Sequence, residues 1–505
     1  MTRALLLLLL VWLNALACSD SSTGADLPAA SGGETAPAGV AGAAPDTPAD
    51  AGTDTPSPTD PWEGLAGTGP RVRDVLGVSS HMNQGPGDDA LRTFELERCA
   101  ELGGARVRED YTWSQIEPAD DQWNFAAVDT QVDLAVAAGA RLDILLVYGN
   151  AWATPDGSND ALDVGEYGEY AGALAARYCG RVDTYEVWNE EDLSAFWPPN
   201  PNPAVYARLL KAAYVAVKAA CPGATVLFGG LNSMGGGDFT ERWLFLQEAV
   251  AAEPDLCEFF DVLALHPYTF NQAQPPETDS DLSAAFDWPG QVGMVAQARE
   301  RLAEAGCAPR PIWFTELGWP SYPPNDEAAT GRFLARSVLL ALQSGVEAYF
   351  VYTFWDSDPA WTGLRPQEAH FGLFGWPVID GQPRAKPGWH ALKALSDLLG
   401  TARFARDLGP ALQLPNDVWA LAFVDEAGVV TVAAWDGREL PDRLPSGTLP
   451  GGPDTSHDLP LPLPSGAWSV QRFDQEGAAQ EAEPAASTVP LHLTPRVQYV
   501  RLSPR

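Results

Sequence analysis

Eight short apolar runs, each separated from the next by a stretch of helical periodicity, constrain this chain more than any other feature. They are Val75–Asn83, Ala105–Trp113, Arg141–Asn150, Val182–Asn189, Thr225–Asn232, Phe260–Thr269, Pro311–Trp319 and Ala348–Asp356, and their starts lie 30 to 51 residues apart. Val-, Ile- and Leu-rich runs alternating with helical patterns such as Tyr206–Ala220 and Gly331–Leu342 read as parallel strands buried on both faces. Eight such units over about 280 residues predict a (β/α)8 TIM barrel, a fold that typically takes about 250. The competing architecture, a doubly wound open sheet, usually has fewer strands and a Gly-rich phosphate turn after the first. Gly77-Val78-Ser79-Ser80-His81 does not match that turn.

Beyond Asp356 the sequence is loop-rich through Trp376, and a helix at Gly388–Leu399 completes the barrel. From about Thr401 the pattern changes. Val418–Val424 and Val429–Trp435 flank Glu426-Ala427-Gly428 as a hairpin, and Trp468–Phe473 and Gln498–Leu502 are further strands. Leu440 to Pro464 reads as a long Pro- and Gly-rich loop. The expected organisation is a barrel over residues 61–400 and a small C-terminal β-sandwich over 401–505.

The first sixty residues carry no fold. Arg3, an apolar run from Ala4 to Leu13 and the small residues before Cys18 have the form of a signal peptide over residues 1–18. The run is too short to span a bilayer. Ala15-Leu16-Ala17-Cys18 resembles a bacterial lipobox, which makes Cys18 the expected lipidation site. Ser19 after it, by resemblance to Gram-negative lipoprotein sorting, points to the outer membrane. Residues 19–60 are Ala-, Gly-, Pro-, Thr- and Asp-rich and read as a flexible acidic tether. The lipid anchor is the one expected tie to a membrane. Five further cysteines, Cys99, Cys179, Cys221, Cys257 and Cys307, each precede a predicted strand. Disulfides are open to them in an oxidising compartment, and an odd number leaves one thiol free or paired between chains.

The chain carries 67 Asp and Glu against 31 Lys and Arg, a formal charge of −36. A surface that acidic repels phosphate backbones and argues against nucleic-acid binding, but is indifferent to neutral glycans. No Cys/His pattern has metal-ligand spacing, and neither metal nor cofactor is expected.

In a barrel of this type the functional residues sit at the C-terminal ends of the strands. There the sequence offers two carboxylates, several amide or imidazole hydrogen-bonding groups, and indoles, a set suited to a sugar. The fourth run ends Tyr185-Glu186-Val187-Trp188-Asn189-Glu190 and the seventh Trp313-Phe314-Thr315-Glu316-Leu317-Gly318-Trp319. Two carboxylates flanking a glycosidic bond, one a proton donor and the other an ionised nucleophile, are what a retaining glycosidase needs. Glu186, four residues before Glu190, should point inward and deeper.

Asn189-Glu190 and Glu316 at the ends of the fourth and seventh strands, with Arg108, His266-Pro267-Tyr268 and Trp355, resemble clan A of the glycoside hydrolases over about residues 75–400. Within the clan the sequence is most similar to family 39, then family 5. The resemblance implies a retaining hydrolase of O-glycosidic bonds in a β-linked poly- or oligosaccharide. It implies Glu190 as acid/base, Glu316 as nucleophile and Asn189 on the sugar 2-hydroxyl. Arg108 and Tyr268 would hold Glu316, Trp355 would floor the subsite, and His81 and His266 would bind hydroxyls. Of Trp152, Trp197, Trp319 and Trp361 about two are expected on sugar, Trp319 among them. Two alternatives remain: a non-catalytic glycan-binding lipoprotein, and a transglycosylase using the same carboxylates.

Overall fold

The computed structural model describes residues 60–505, apart from 83–87, 105, 155, 234–242, 270–273, 278–288, 308, 359–364, 377–381, 438–455 and 481–486. The signal-peptide and tether readings and Trp361 lie outside the described residues.

Strands β1 (Leu76–Ser79), β2 (Arg106–Thr112), β3 (Arg141–Val147), β4 (Thr184–Asn189), β5 (Thr225–Asn232), β6 (Val262–His266), β7 (Ile312–Leu317) and β8 (Ala348–Tyr352) form one closed barrel. Each pairs in parallel with its sequence neighbour, and β1 pairs with β8 to close the ring. Closure leaves no strand edge open.

The helices outside the ring form where the sequence supplies caps and one apolar face. The helix Pro203–Ala220 begins with Pro203 in its first turn and with the Asn202 side chain accepting from the Val205 N–H at 3.2 Å. It buries Tyr206, Leu209, Leu210, Ala213 and Val217. Its neighbour, Val164–Tyr178, is capped by Asp163. The two approach closely because Gly168 and Gly172 face Ala212 and Ala216, where an added Cβ would meet the alanine methyls at 3.3 and 3.1 Å.

A disulfide between Cys179 and Cys221 joins the C-terminal ends of these two helices, and a second links Cys257 to Cys307. Among the described residues Cys99 is the free thiol, and it is buried. Both bridges lie before strands, at the end of the barrel opposite the strand C-termini.

The C-terminal part is a β-sandwich. One sheet holds six strands in the order β14 (Ala479–Gln480), β13 (Trp468–Phe473), β16 (Gln498–Pro504), β11 (Val430–Asp436), β10 (Val418–Val424), β9 (Arg403–Asp407). The other pairs β12 (His457–Pro462) with β15 (Thr488–Leu493). Period-two alternation divides the large sheet between two cores. Leu421, Phe423, Ala433, Trp435 and Tyr499 pack toward the barrel. Ala420, Ala422, Val432, Ala434, Val500 and Leu502 face the small sheet. Trp62 and Leu65 pack on that second core, and the Thr68 N–H donates to the Phe404 carbonyl at 2.7 Å.

One expectation needs correction. The last part of the span read as loop, 440–464, contains β12. Its Leu459 and Leu461 alternate inward while Pro460 faces out. The prolines read as loop signals, but a short outer strand accommodates them.

Candidate active site

The carboxylates Glu190 and Glu316 meet at the C-terminal mouth of the barrel. Glu190 follows the last residue of β4, and Glu316 lies in the last turn of β7. Both are buried, with a small exposed fraction each. Their facing oxygens lie within 4.8 Å of each other and of a His266 ring nitrogen.

The backbone at β4 departs from strand geometry to bring them there. Trp188 and Glu190 take φ of 73° and 49°, the left-handed region that bulky residues avoid at a cost of about 1–3 kcal/mol. The turn breaks the in–out alternation. The Trp188 indole packs outward against Trp197 and Tyr148, while Asn189 and Glu190 both reach the mouth.

Arg108 of β2 organises the floor and is buried. Its Nη1 donates to Glu316 Oε1 at 2.6 Å and to Ser79 Oγ at 3.3 Å. Its Nε and Nη2 donate to the two oxygens of Glu186 at 2.7 and 3.1 Å, and Nη2 also donates to Asn189 Oδ1 at 2.9 Å. Burial disfavours the guanidinium's charge, but Glu186 and Glu316 outweigh burial and raise its pKa. Because the Asn189 oxygen is occupied by Arg108, its amide N–H groups are the ones left to face the mouth. Arg106, two residues earlier, points to a lower layer, pairs with Asp143 at 2.9 Å and lies over Trp313.

The two carboxylates sit in different surroundings. Glu316 receives Arg108 on one oxygen and the Tyr268 hydroxyl on the other at 3.1 Å. Glu190 receives the Asn232 amide at 2.6 Å and faces His266 Nδ1 at 3.0 Å. Burial pushes the Glu190 carboxyl up to about 7, against the opposing effects of Asn232, Arg108 and Arg365. Burial also lowers His266 to about 4, with Arg108 adding to that effect and Glu316 opposing it. Both oxygens of Glu316 and Oε1 of Glu190 are already hydrogen-bonded, and a guanidinium stands 2.6 Å from Glu316, surroundings that disfavour a cation between the carboxylates.

Three sequence expectations are corrected. His266 is fully buried with both ring nitrogens engaged, by Glu190 and by Thr315 Oγ1 at 3.1 Å, so no nitrogen is left for a sugar hydroxyl. Trp319 is also fully buried. Its indole N–H is taken by the Gln274 carbonyl at 2.7 Å and Thr269 Oγ1 at 3.1 Å, and it packs on Phe333. Trp355 stacks on Phe94 at 5.8 Å, packs on Phe374 and donates to Glu95 at 2.9 Å. Trp197 is likewise core, and Trp152 is half-buried against Trp113.

Tyr352, the last residue of β8, is a further aromatic ring close to the carboxylates, beside Tyr268. It lies 5.6 Å from the His81 ring and 6.4 Å from Tyr268. Burial raises its hydroxyl pKa, and Glu368, Glu316, Asp110 and Glu190 add to the effect. His81 stands at the rim with Nδ1 3.8 Å from Asp110. Glu368, from the turn Pro366–His370, is a further carboxyl near the pair, pushed up to about 7 by burial.

Asn232, Thr315 and Tyr352 also belong to the site and carry no sequence motif of their own. The strand-end rule finds Asn232 and, once β8 is ended at Tyr352, finds Tyr352 too. Glycine makes part of the site possible: a Cβ on Gly230 would sit 2.1 Å from His266 Nε2.

Fold and site together define a (β/α)8 barrel with a buried, asymmetric carboxylate pair at its catalytic face. Solved structures with the same fold include a family 39 glycoside hydrolase from Bacteroides cellulosilyticus, with 22% identity over 85% of this chain and 82% of that one, TM-score 0.64. A monomeric β-xylosidase from Caulobacter crescentus has 18% identity over 87% and 98%, TM-score 0.59. A family 30 endoxylanase from Clostridium papyrosolvens has 14% identity over 88% and 98%, TM-score 0.55. No protein-family model and no curated protein matches the sequence.

Proposed function

We propose that the chain is a retaining glycoside hydrolase acting on a β-linked poly- or oligosaccharide. The observation that carries this reading is the carboxylate pair itself: oxygens within 4.8 Å, one carboxyl against a guanidinium and the other pushed up to about 7. Retaining enzymes hold their carboxyls about 5–5.5 Å apart, whereas inverting enzymes need about 6.5–9.5 Å to admit a water.

In the first step Glu316 attacks the anomeric carbon, and a glycosyl–enzyme ester forms as the glycosidic bond breaks. Glu190 gives its proton to the departing oxygen. In the second step Glu190, now a carboxylate, takes a proton from water, and that water displaces Glu316. Arg108 and Tyr268 hold the nucleophile in place. The Asn189 amide faces the position of the 2-hydroxyl, a contact that strengthens as charge develops at the ring. Tyr352 offers the ring face beside the cleavage point. A lipid anchor at Cys18, with residues 19–60 as tether, would hold the barrel at the outer membrane facing its substrate. This part of the proposal rests on the sequence alone.

The test is intact mass after exposure to mechanism-based probes of β-xylo, β-gluco, β-galacto and β-manno configuration. The β-xylo probe comes first, because two of the similar structures are a β-xylosidase and an endoxylanase. The expected result is one covalent adduct, absent in Glu316→Gln. An adduct mapped to any other residue overturns the assignment. Absence of both an adduct and hydrolysis, with glycan binding retained, would favour the binding-protein alternative.

A further inference from the structure

A buried chain of hydrogen bonds connects the two carboxylates through residues that the reaction does not consume. Glu316 is held by Arg108 at 2.6 Å, and Arg108 holds Glu186 at 2.7 Å. The Thr315 hydroxyl donates to Glu186 Oε1 at 3.0 Å. His266 Nε2 lies 3.1 Å from the Thr315 oxygen, and His266 Nδ1 lies 3.0 Å from Glu190 Oε1.

We propose that Thr315, the residue before the nucleophile, is a positioning residue that fixes the tautomer of His266 and thereby holds the proton on Glu190.

A threonine hydroxyl has a single proton. Glu186, already bound in bidentate fashion by Arg108, is an acceptor and takes that proton in a charge-assisted bond. Thr315 can then only accept from His266, so the hydrogen must sit on Nε2. A neutral imidazole with hydrogen on Nε2 has a bare lone pair on Nδ1. That lone pair faces Glu190 Oε1. The contact is favourable when Glu190 carries a proton and repulsive when it is a carboxylate.

The other charged and titratable groups around His266 do not reverse this. Arg108 from β2 opposes a second proton on the ring. Glu316 from β7, with Nδ1 3.8 Å from its Oε2, favours one, as does Glu186 from β4, and Tyr268 contributes a neutral ring edge. Around Glu190 stand Asn232 from β5, Arg108, Arg365 and Glu368 from the loop after β8, Tyr148 after β3, and Asp192 next along the chain. Asn232 and the two arginines favour the carboxylate. The bare Nδ1, Glu368 and burial oppose it.

Removing the Thr315 hydroxyl removes the acceptor of Nε2–H. His266 is then free to carry its hydrogen on Nδ1 and donate it to Glu190, stabilising the carboxylate. In Thr315→Val the alkaline limb of kcat/KM should therefore move down by about one pH unit, and Thr315→Ser should restore it. A purely structural role for Thr315 would lower kcat without moving the limb. An unmoved limb, or one moved upward, overturns the proposal.

The proposal rests on the glycosidase reading, so a second measurement independent of turnover is needed. In the protein labelled with 15N-histidine, with the His266 signal identified by its loss in His266→Gln, the ring should show hydrogen on Nε2 alone at neutral pH. Hydrogen on Nδ1, or an imidazolium, overturns it. If no glycoside is hydrolysed the glycosidase reading fails, yet the tautomer is still decided by the spectrum.

Discussion

Arg108 has five N–H bonds and five acceptors for them: two oxygens of Glu186, one each of Glu316, Asn189 and Ser79. Only a planar fork matches that set, since lysine offers three donors from a single point. Arg108→Lys is therefore expected to leave Glu186 underpaired in a buried site and Glu316 free to turn. Buried acceptors left without a donor cost about 1–3 kcal/mol, which urea unfolding would measure. On the proposed mechanism, a fall in kcat of about 100-fold or more follows from the lost orientation of Glu316. The places of side chains were legible in the sequence to different degrees. Glu190 and Glu316 follow from their places at strand ends. Trp319 and Trp355 occupy equally suggestive positions, but their indole N–H groups are consumed by Gln274 and Glu95. No pattern in a single sequence distinguishes an indole facing a sugar from one facing a carbonyl.

At the scale of elements, β5 shows why a strand's interior matters as much as its end. Its pairing with β6 shifts register between Phe228 and Leu231, at Gly229-Gly230. The irregularity opens the space that His266 fills. Gly230→Ala would press a methyl into the imidazole, which overpacking data place at roughly 1–3 kcal/mol. The expected outcome is a lowered melting temperature together with a larger loss of activity than the stability change explains, read by parallel thermal melts and hydrolysis rates. The end of β8 was illegible for a different reason. Tyr349-Phe350-Val351-Tyr352-Thr353-Phe354-Trp355 is apolar or aromatic nearly throughout, so hydrophobicity does not mark where the ladder stops. It stops at Tyr352, and the ring at the mouth is that residue rather than Trp355. The strand β12 was hidden by prolines that an outer strand tolerates.

For the whole molecule, the balance of charge and burial predicts how stability varies with pH. Glu95, Glu190 and Glu368 are each pushed up from 4.5 to about 7, in each case chiefly by burial. Between those values the folded chain keeps protons that the unfolded chain has released. Stability therefore falls as pH rises from 4.5 to about 7 and changes little from these groups above that. Self-repulsion at a net charge of −36 acts in the same direction. Salt separates the two, since it screens surface repulsion but not burial. Melting temperature should be higher near pH 5 than near pH 8, and part of the difference should persist at high ionic strength. A melting temperature that rises with pH, or a difference abolished entirely by salt, would contradict the assignment of these carboxyls.

The eightfold alternation, and with it the barrel, the end at which its strands finish and the two carboxylates there, can be read directly from the order of residues. Periodicity and strand-end position are local properties, and local properties survive in a linear pattern. The tertiary structure decided which neighbours those carboxylates meet. The left-handed turn at Trp188, the register shift at Gly229-Gly230 and the convergence of Arg108, Thr315 and His266 from three strands are set by packing across the barrel. Those contacts join residues as far apart in the chain as Arg108 and Glu316, and they give one carboxyl a guanidinium and the other a buried imidazole.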